Sequence, residues 1–126
     1  MRLLLLACVG GALGSGLRHL VNVGALRLFG PEFPVGTLTV NAVGSLLMGV
    51  LVELVALRFD ASPELRVLVT TGVLGGFTTF SAFSLDFVLM MERGAYFMAA
   101  VYLVASVTVS ILALVGGLTI GRMVFQ

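Results

Sequence analysis

Four long apolar stretches, separated only by short polar or proline-containing turns, constrain the fold of this chain more than any other feature. They cover about residues 3–28, 36–57, 63–91 and 95–122, and crossing the ~30 Å hydrocarbon core of a bilayer takes about 20 helical residues. Of the 126 residues, 60% are hydrophobic and only 10% are charged, whereas soluble domains carry about 25% charged residues. We therefore predict an all-α membrane protein, with residues 1–126 forming a single four-helix transmembrane domain.

The charge and cysteine content exclude several classes of function. Seven basic residues against six acidic ones give a net charge of +1, which does not form the clustered basic surface of a nucleic-acid-binding protein. Cys8 is the single cysteine, so no internal disulfide is expected, and no Cys/His cluster predicts a zinc or redox centre. We expect neither a nucleic-acid partner nor an enzymatic activity.

The arginines near the ends of the apolar segments are divided almost evenly between the two sides of the membrane. The side that holds both termini has Arg2, Arg58, Arg66 and Arg122, and the other has Arg27 and Arg93, with Arg18 added if its side chain reaches that side. Arginine in cytoplasmic loops sets orientation, so this weak bias permits insertion both ways. Two interpretations stay open: an antiparallel homodimer of oppositely inserted copies, or one orientation with the N-terminus in the cytoplasm.

Two of the segments carry small or polar residues at helical spacing. They recur every fourth residue in the second segment, as Thr37, Asn41, Ser45, Gly49 and Glu53, and again in the fourth, as Tyr102, Ser106 and Ser110. An amide offers two donors and each hydroxyl donates or accepts, so such stripes suit an ion that has lost part of its water. They equally fit helix packing through interhelical hydrogen bonds.

The third segment has a composition that favours a continuous helix poorly. Between Thr70 and Asp86 it holds Gly72, Gly75 and Gly76 with two Thr-Thr pairs, and we predict a helix break between Gly75 and Thr79. A broken helix is tolerated in a bilayer only where its backbone is buried in protein or lines a cavity. In transporters such breaks commonly form ion sites.

An aromatic row follows the predicted break, formed by Phe77, Phe80, Phe83 and Phe87. The edge of an aromatic ring is the positive part of its quadrupole, so ring edges turned into a pore would attract a small anion without a full charge. Packing against lipid or neighbouring helices explains the same row, and composition does not choose between the two.

Three motifs resemble those of the Fluc (CrcB-type) fluoride channels of bacteria. They are GALGSGLR at 11–18, GTLTVNAVGS at 36–45 and GVLGGFTTFSAFS at 72–84, and the resemblance covers essentially the whole chain. It implies an antiparallel, dual-topology homodimer in the bacterial inner membrane. Such a dimer exports fluoride passively through two pores, lowers intracellular fluoride and holds a structural sodium ion at its centre.

The resemblance also implies roles for single residues. Asn41 would donate its amide to fluoride, and Phe80 and Phe83 would present ring edges along the pores. The polar track would include Thr79, Ser81, Tyr102 and Ser106.

Three further positions have implied roles outside the polar track. The backbone carbonyls of Gly75 and Thr78 would coordinate the sodium ion. Arg18 would raise the local anion concentration in a vestibule, or else would snorkel to anchor its helix.

Two residues depart from the family pattern, with Ala82 where threonine is frequent and Asp86 where glutamate is common.

Two other classes of function also stay open. A dual-topology small multidrug resistance transporter needs a membrane-embedded carboxylate in its first helix, where this chain has Arg18 and His19 instead. A structural or assembly subunit without transport is the third class, and it has no need of two polar stripes and a broken helix.

Overall fold

The fold was analysed in a computed structural model that describes residues 1–57 and 62–125. The prediction for Arg58 therefore lies outside the described residues. The described part is helical and contains no strand, with α1 at Arg2–Phe29, α2 at Val35–Leu57, α3 at 63–77, α4 at Phe80–Glu92 and α5 at Tyr96–Phe125. Because α3 and α4 together form one span, four helices are long and apolar enough to cross a membrane, which confirms the predicted all-α architecture.

Local sequence explains where these helices begin and end. α1 ends at Gly30, whose φ of 75° favours glycine, and Pro31 follows. α3 begins after Ser62, whose hydroxyl accepts a hydrogen bond from the Leu65 N–H at 3.3 Å. Gly94, also with a φ of 75°, forms the turn between α4 and α5.

The helices α1 and α3 pack backbone against backbone. A Cβ added at Gly72 would lie 2.8 Å from the Gly10 Cα, and one added at Gly14 would lie even closer to the Val73 carbonyl oxygen. At this contact α3 is π-helical over Val67–Leu74, a form in which hydrogen bonds run from residue i to i+5. Small residues allow such close approach of helices in membranes, so α1 and α3 form one tightly joined pair.

The helices α2 and α5 form a second tight pair. A Cβ at Gly117 would lie 3.1 Å from the Gly49 Cα, and one turn further along Arg122 Nε donates to Glu53 Oε1 at 2.8 Å. The glycine contact fixes the distance between the helices, and the ion pair joins them near one membrane surface. The bundle is thus two glycine-packed pairs, and clefts lie between them.

Candidate functional site

The helix break lies at Thr78 and Thr79, within the predicted range. Both residues have extended backbone, with ψ of 160° and 122°. Asn41 of α2 bonds both backbone polar groups of Thr79. Its Nδ2 donates to the Thr79 carbonyl at 3.0 Å, and its Oδ1 accepts from the Thr79 N–H at 2.7 Å. One side chain therefore satisfies both backbone groups of Thr79, as a buried interruption requires.

Side chains from α1 and from the break itself complete this arrangement. Arg18 donates to the Thr78 carbonyl at 3.1 Å, and the Thr78 hydroxyl donates to the Leu74 carbonyl at 3.0 Å. The Thr79 hydroxyl caps α4 by accepting from the Ala82 N–H at 3.1 Å. Arg18 thus reaches the centre of the third span and does not extend to a membrane surface.

The break also changes the hydrogen bonding of the Gly75 carbonyl. In a continuous helix the Thr79 N–H would donate to the Gly75 carbonyl, but here it donates to Asn41. The Gly75 carbonyl is released from the helical ladder, and Gly75 lies at the protein surface.

Beside the break lies an open groove with a volume of about 280 Å³. Its walls come from α2, the break, α4 and α5, and none of the lining residues is charged: Asn41, Ser45, Thr78, Thr79, Phe80, Phe83, Ser106, Val107, Ser110 and Ile111. The structure therefore brings most of the predicted pore residues together around one uncharged space. Ser81 and Tyr102 lie next to the groove without lining it.

One wall of the groove has unused hydrogen-bonding capacity. The hydroxyl oxygens of Ser106 and Ser110 are buried and have no hydrogen-bond partner within 3.5 Å among the described residues, although the Ser106 hydroxyl lies close to that of Tyr102. Asn41 Nδ2 carries two hydrogens, and only one of them is used by the Thr79 carbonyl. Because a buried polar group without a partner costs about 1–3 kcal/mol, this wall is built for a polar or anionic occupant.

The opposite wall is aromatic. The ring centroids of Phe80 and Phe83 are 5.4 Å apart at an interplanar angle of 52°. Phe83 is buried, whereas Phe80 is 78% exposed on the surface of the single chain. Both rings thus line the groove, but Phe83 is surrounded by other side chains, whereas most of Phe80 is exposed on the single chain.

Tyr102 packs against Phe83 beside the groove. It is fully buried, its ring lies 5.3 Å from Phe83 and 5.5 Å from Phe33, and its hydroxyl donates to Asp86 Oδ2 at 3.1 Å. Asp86, one of the two departures, borders two further pockets on the far side of Tyr102. The other departure, Ala82, acts at the break through its backbone N–H.

The polar stripe of α2 is divided between two environments. Asn41 and Ser45 face the groove, while Gly49 packs against α5 and Glu53 pairs with Arg122. Helix packing therefore accounts for Gly49 and Glu53, while Asn41 and Ser45 border the groove.

Sequence reasoning did not assign every lining residue to the pore. Ser110 was recognised in the hydroxyl row of α5 but not among the pore residues, and the spacing of Ser106 and Ser110 was the signal that could have included it. Ser45 was likewise recognised only in the stripe of α2. Val107 and Ile111 carry no local signal, because apolar residues are common on every face of α5.

These features define a multi-pass membrane protein with an uncharged, donor-lined groove at a helix break. The sequence matches the family described as "CrcB-like protein, Camphor Resistance (CrcB)" over residues 5–118, and the chain belongs to this family. A protein of Agrobacterium fabrum named "Fluoride-specific ion channel FluC" is 58% identical over 120 residues, covering 95% of this chain and 96% of the relative. Two further proteins with the same name are each 55% identical to this chain. The one from Rhizobium etli covers 93% of this chain and 94% of its own length, and the one from a Caulobacter species covers 100% of this chain and 99% of its own length.

Proposed function

We propose that this chain is a fluoride-specific ion channel of a bacterial inner membrane, which lets fluoride leave the cytoplasm passively. The observation that carries the proposal is the uncharged groove lined by Asn41, Ser106 and Ser110, where one Asn41 N–H and the buried Ser110 hydroxyl have no partner among the described residues. The names and high identity of the curated relatives support the same function.

The chemistry of the groove suits a small anion. Fluoride is strongly hydrated, so a pore must replace its water with hydrogen-bond donors, and the Asn41 amide and the hydroxyls of Ser106 and Thr79 supply them. The ring edges of Phe80 and Phe83 add a weak positive potential. Because no charged side chain lines the groove, the ion is not trapped in a deep energy well, and conduction requires that it leave as easily as it enters.

Two features of the single chain support an antiparallel homodimer with two pores. The groove is open along one side, where Phe80 and Ser81 are exposed, and the released Gly75 carbonyl lies at the surface in the middle of a span. An unpaired carbonyl facing hydrocarbon costs several kcal/mol. A second copy packed on this face would cover the carbonyl and complete the pore wall.

The distribution of arginines supports insertion in both orientations. Arg18 is bonded at the break and belongs to neither membrane surface. With Arg18 left out, the side that holds both termini carries Arg2, Arg58, Arg66 and Arg122, and the other side carries Arg27 and Arg93. The remaining bias is small enough for both orientations to coexist.

The donor set at the break fits a structural sodium ion. Neutral oxygen ligands suit hard cations, and the carbonyls of Gly75 and Thr78 are such ligands. The Thr78 oxygen keeps one lone pair beside its bond to Arg18. Two carbonyls are too few to replace a hydration shell, so the second copy would supply the rest, and the ion would hold the two breaks together.

Arg18 would act on fluoride through its field. Its guanidinium donates to the Thr78 carbonyl and does not itself line the groove. A fixed positive charge near the pore raises the local anion concentration, while its hydrogen bond keeps the extended backbone in place.

The test is efflux of fluoride from liposomes that contain the purified protein, followed with a fluoride electrode. We expect fluoride efflux and no comparable chloride efflux. Ser106→Ala with Ser110→Ala should slow fluoride efflux at least tenfold, at about 1.5–3 kcal/mol for each hydrogen bond to a charged group. Thr119→Val on the same helix is the matched control, because that hydroxyl only bonds its own backbone at Val115. Absence of fluoride efflux, or equal chloride efflux, would refute the proposed function.

A further inference from the structure

A cleft separate from the groove lies between the two helix pairs. Its volume is about 510 Å³, within the range of ~300–1,000 Å³ typical of ligand sites. On the α2 side its wall is formed by Met48, Val52 and Val55. In a membrane-spanning protein such an apolar cleft is filled by hydrocarbon, because water gains no hydrogen bonds there.

The α3 side of the cleft is polar, and its polarity changes with depth. Arg66 is in the first turn of α3, directly after the helix begins at Pro63, so its guanidinium lies at the membrane surface. Thr70 and Thr71 follow one turn deeper. The Thr70 hydroxyl donates to the Arg66 carbonyl at 2.7 Å, and Thr71 is exposed at the level where we expect lipid ester groups.

The apolar wall extends the same gradient toward the bilayer centre. Val55 and Met48 are two helical turns apart, which places Met48 about 10 Å deeper than Val55 at 1.5 Å per residue. From the surface inward the cleft therefore presents a cation, then hydroxyls, then hydrocarbon. A phospholipid presents phosphate, esters and acyl chain in the same order.

The charge of the cleft favours a negatively charged occupant. None of the lining residues is acidic, and the ion pairs among the described residues join Arg2 to Glu64 and Arg122 to Glu53. Arg66 is exposed and takes part in neither pair. A guanidinium at headgroup level recognises phosphate through several parallel hydrogen bonds.

We propose that this cleft binds one anionic phospholipid, with its phosphate on the Arg66 guanidinium and an acyl chain between α2 and α3. The bound lipid joins the two helix pairs at the end of the bundle opposite Tyr102. The inference does not depend on fluoride conduction, because the cleft shares no lining residue with the groove.

The experiment is native mass spectrometry of the full-length protein, purified in detergent and incubated with equal amounts of dioleoyl phosphatidylglycerol and dioleoyl phosphatidylcholine. We expect the wild type to retain phosphatidylglycerol preferentially. Arg66→Gln should lower the ratio of retained phosphatidylglycerol to phosphatidylcholine about fivefold, the effect of one arginine near an anionic lipid. Arg27→Gln is the matched control, since Arg27 is an exposed arginine in the last turn of α1 and does not line the cleft.

A second variant tests the acyl-chain part of the cleft. Val52→Trp fills the wall and should reduce the retention of both lipids. If Arg66→Gln changes the lipid ratio no more than Arg27→Gln, the headgroup assignment is wrong. If Val52→Trp leaves lipid retention unchanged, lipid does not bind in the cleft and the proposal is overturned. If Val52→Trp dissociates an assembly of two chains, the cleft is covered by protein and the proposal is likewise overturned.

Discussion

Asn41→Asp is the substitution that best separates the two tasks of this side chain. Asn41 holds the break through its bonds to Thr79, and in the proposed function its second N–H donates to fluoride. Aspartate has nearly the same volume and keeps the oxygen that accepts from the Thr79 N–H. It replaces both N–H donors with a negatively charged oxygen.

The expected loss is much larger for fluoride than for the fold. The break loses one hydrogen bond and leaves the Thr79 carbonyl without its donor, which costs about 1–3 kcal/mol, and it places two acceptor oxygens opposite each other. Fluoride loses a hydrogen bond to a charged group, about 1.5–3 kcal/mol, and meets a repulsion of about 4 kcal/mol at 4 Å for an effective dielectric constant of 20. At 1.4 kcal/mol per factor of ten, the sum predicts a fall in fluoride flux of roughly four to five orders of magnitude.

The assay is fluoride efflux from liposomes, normalised to the amount of assembled protein measured by size-exclusion chromatography. Asn22→Asp makes the same chemical change on α1, at a residue that does not line the groove, and should retain most of the flux. If Asn41→Asp assembles and conducts fluoride at the wild-type rate, Asn41 only packs against the break, and the proposed anion path is wrong.

Four further outcomes are expected. Phe80→Ile and Phe83→Ile should each reduce fluoride flux severely. Only Phe83→Ile should also lower the free energy of unfolding, by about 1–2 kcal/mol, because only Phe83 is buried against Tyr102. Normal flux in both variants would show that the rings only pack. A reactive cysteine at the C-terminus should be labelled from both faces of the membrane, and labelling from one face would refute dual topology. Removal of sodium should shift the protein toward single chains in size-exclusion chromatography as well as lower the flux, and unchanged assembly would exclude the structural ion. Gly14→Ala should destabilise the protein by about 1–3 kcal/mol through overpacking, whereas Gly16→Ala, with nothing within 4 Å, should be neutral in the same unfolding assay.

The break illustrates how far local sequence predicts structure here. The glycines and threonines between Gly75 and Thr79 are poor helix formers, and their position inside an apolar segment indicated an interruption in the membrane. Composition could not indicate that Asn41, 38 residues away in sequence, supplies both hydrogen bonds to Thr79. That pairing depends on the packing of α2 beside the break.

Arg18 and the stripe of α2 show the limits of spacing as evidence. Spacing alone left Arg18 between a vestibule and a membrane surface, whereas the tertiary structure places its guanidinium on the Thr78 carbonyl. The stripe predicted one continuous polar face. The close contact of Gly49 with α5 divides that face, because two helices that meet at glycine leave no room for an ion between them.

The sequence by itself determined that this protein lies in a membrane, that it has four spans and that the third is interrupted. These properties follow from hydropathy, helix propensity and the cost of exposing backbone to hydrocarbon, all of which act along the chain. Only the tertiary structure decided which polar groups are already paired and which still lack a partner. The unpartnered hydroxyl of Ser110 became visible in this way, because a hydrogen bond joins atoms that are close in space, and only the packing of the helices fixes those distances.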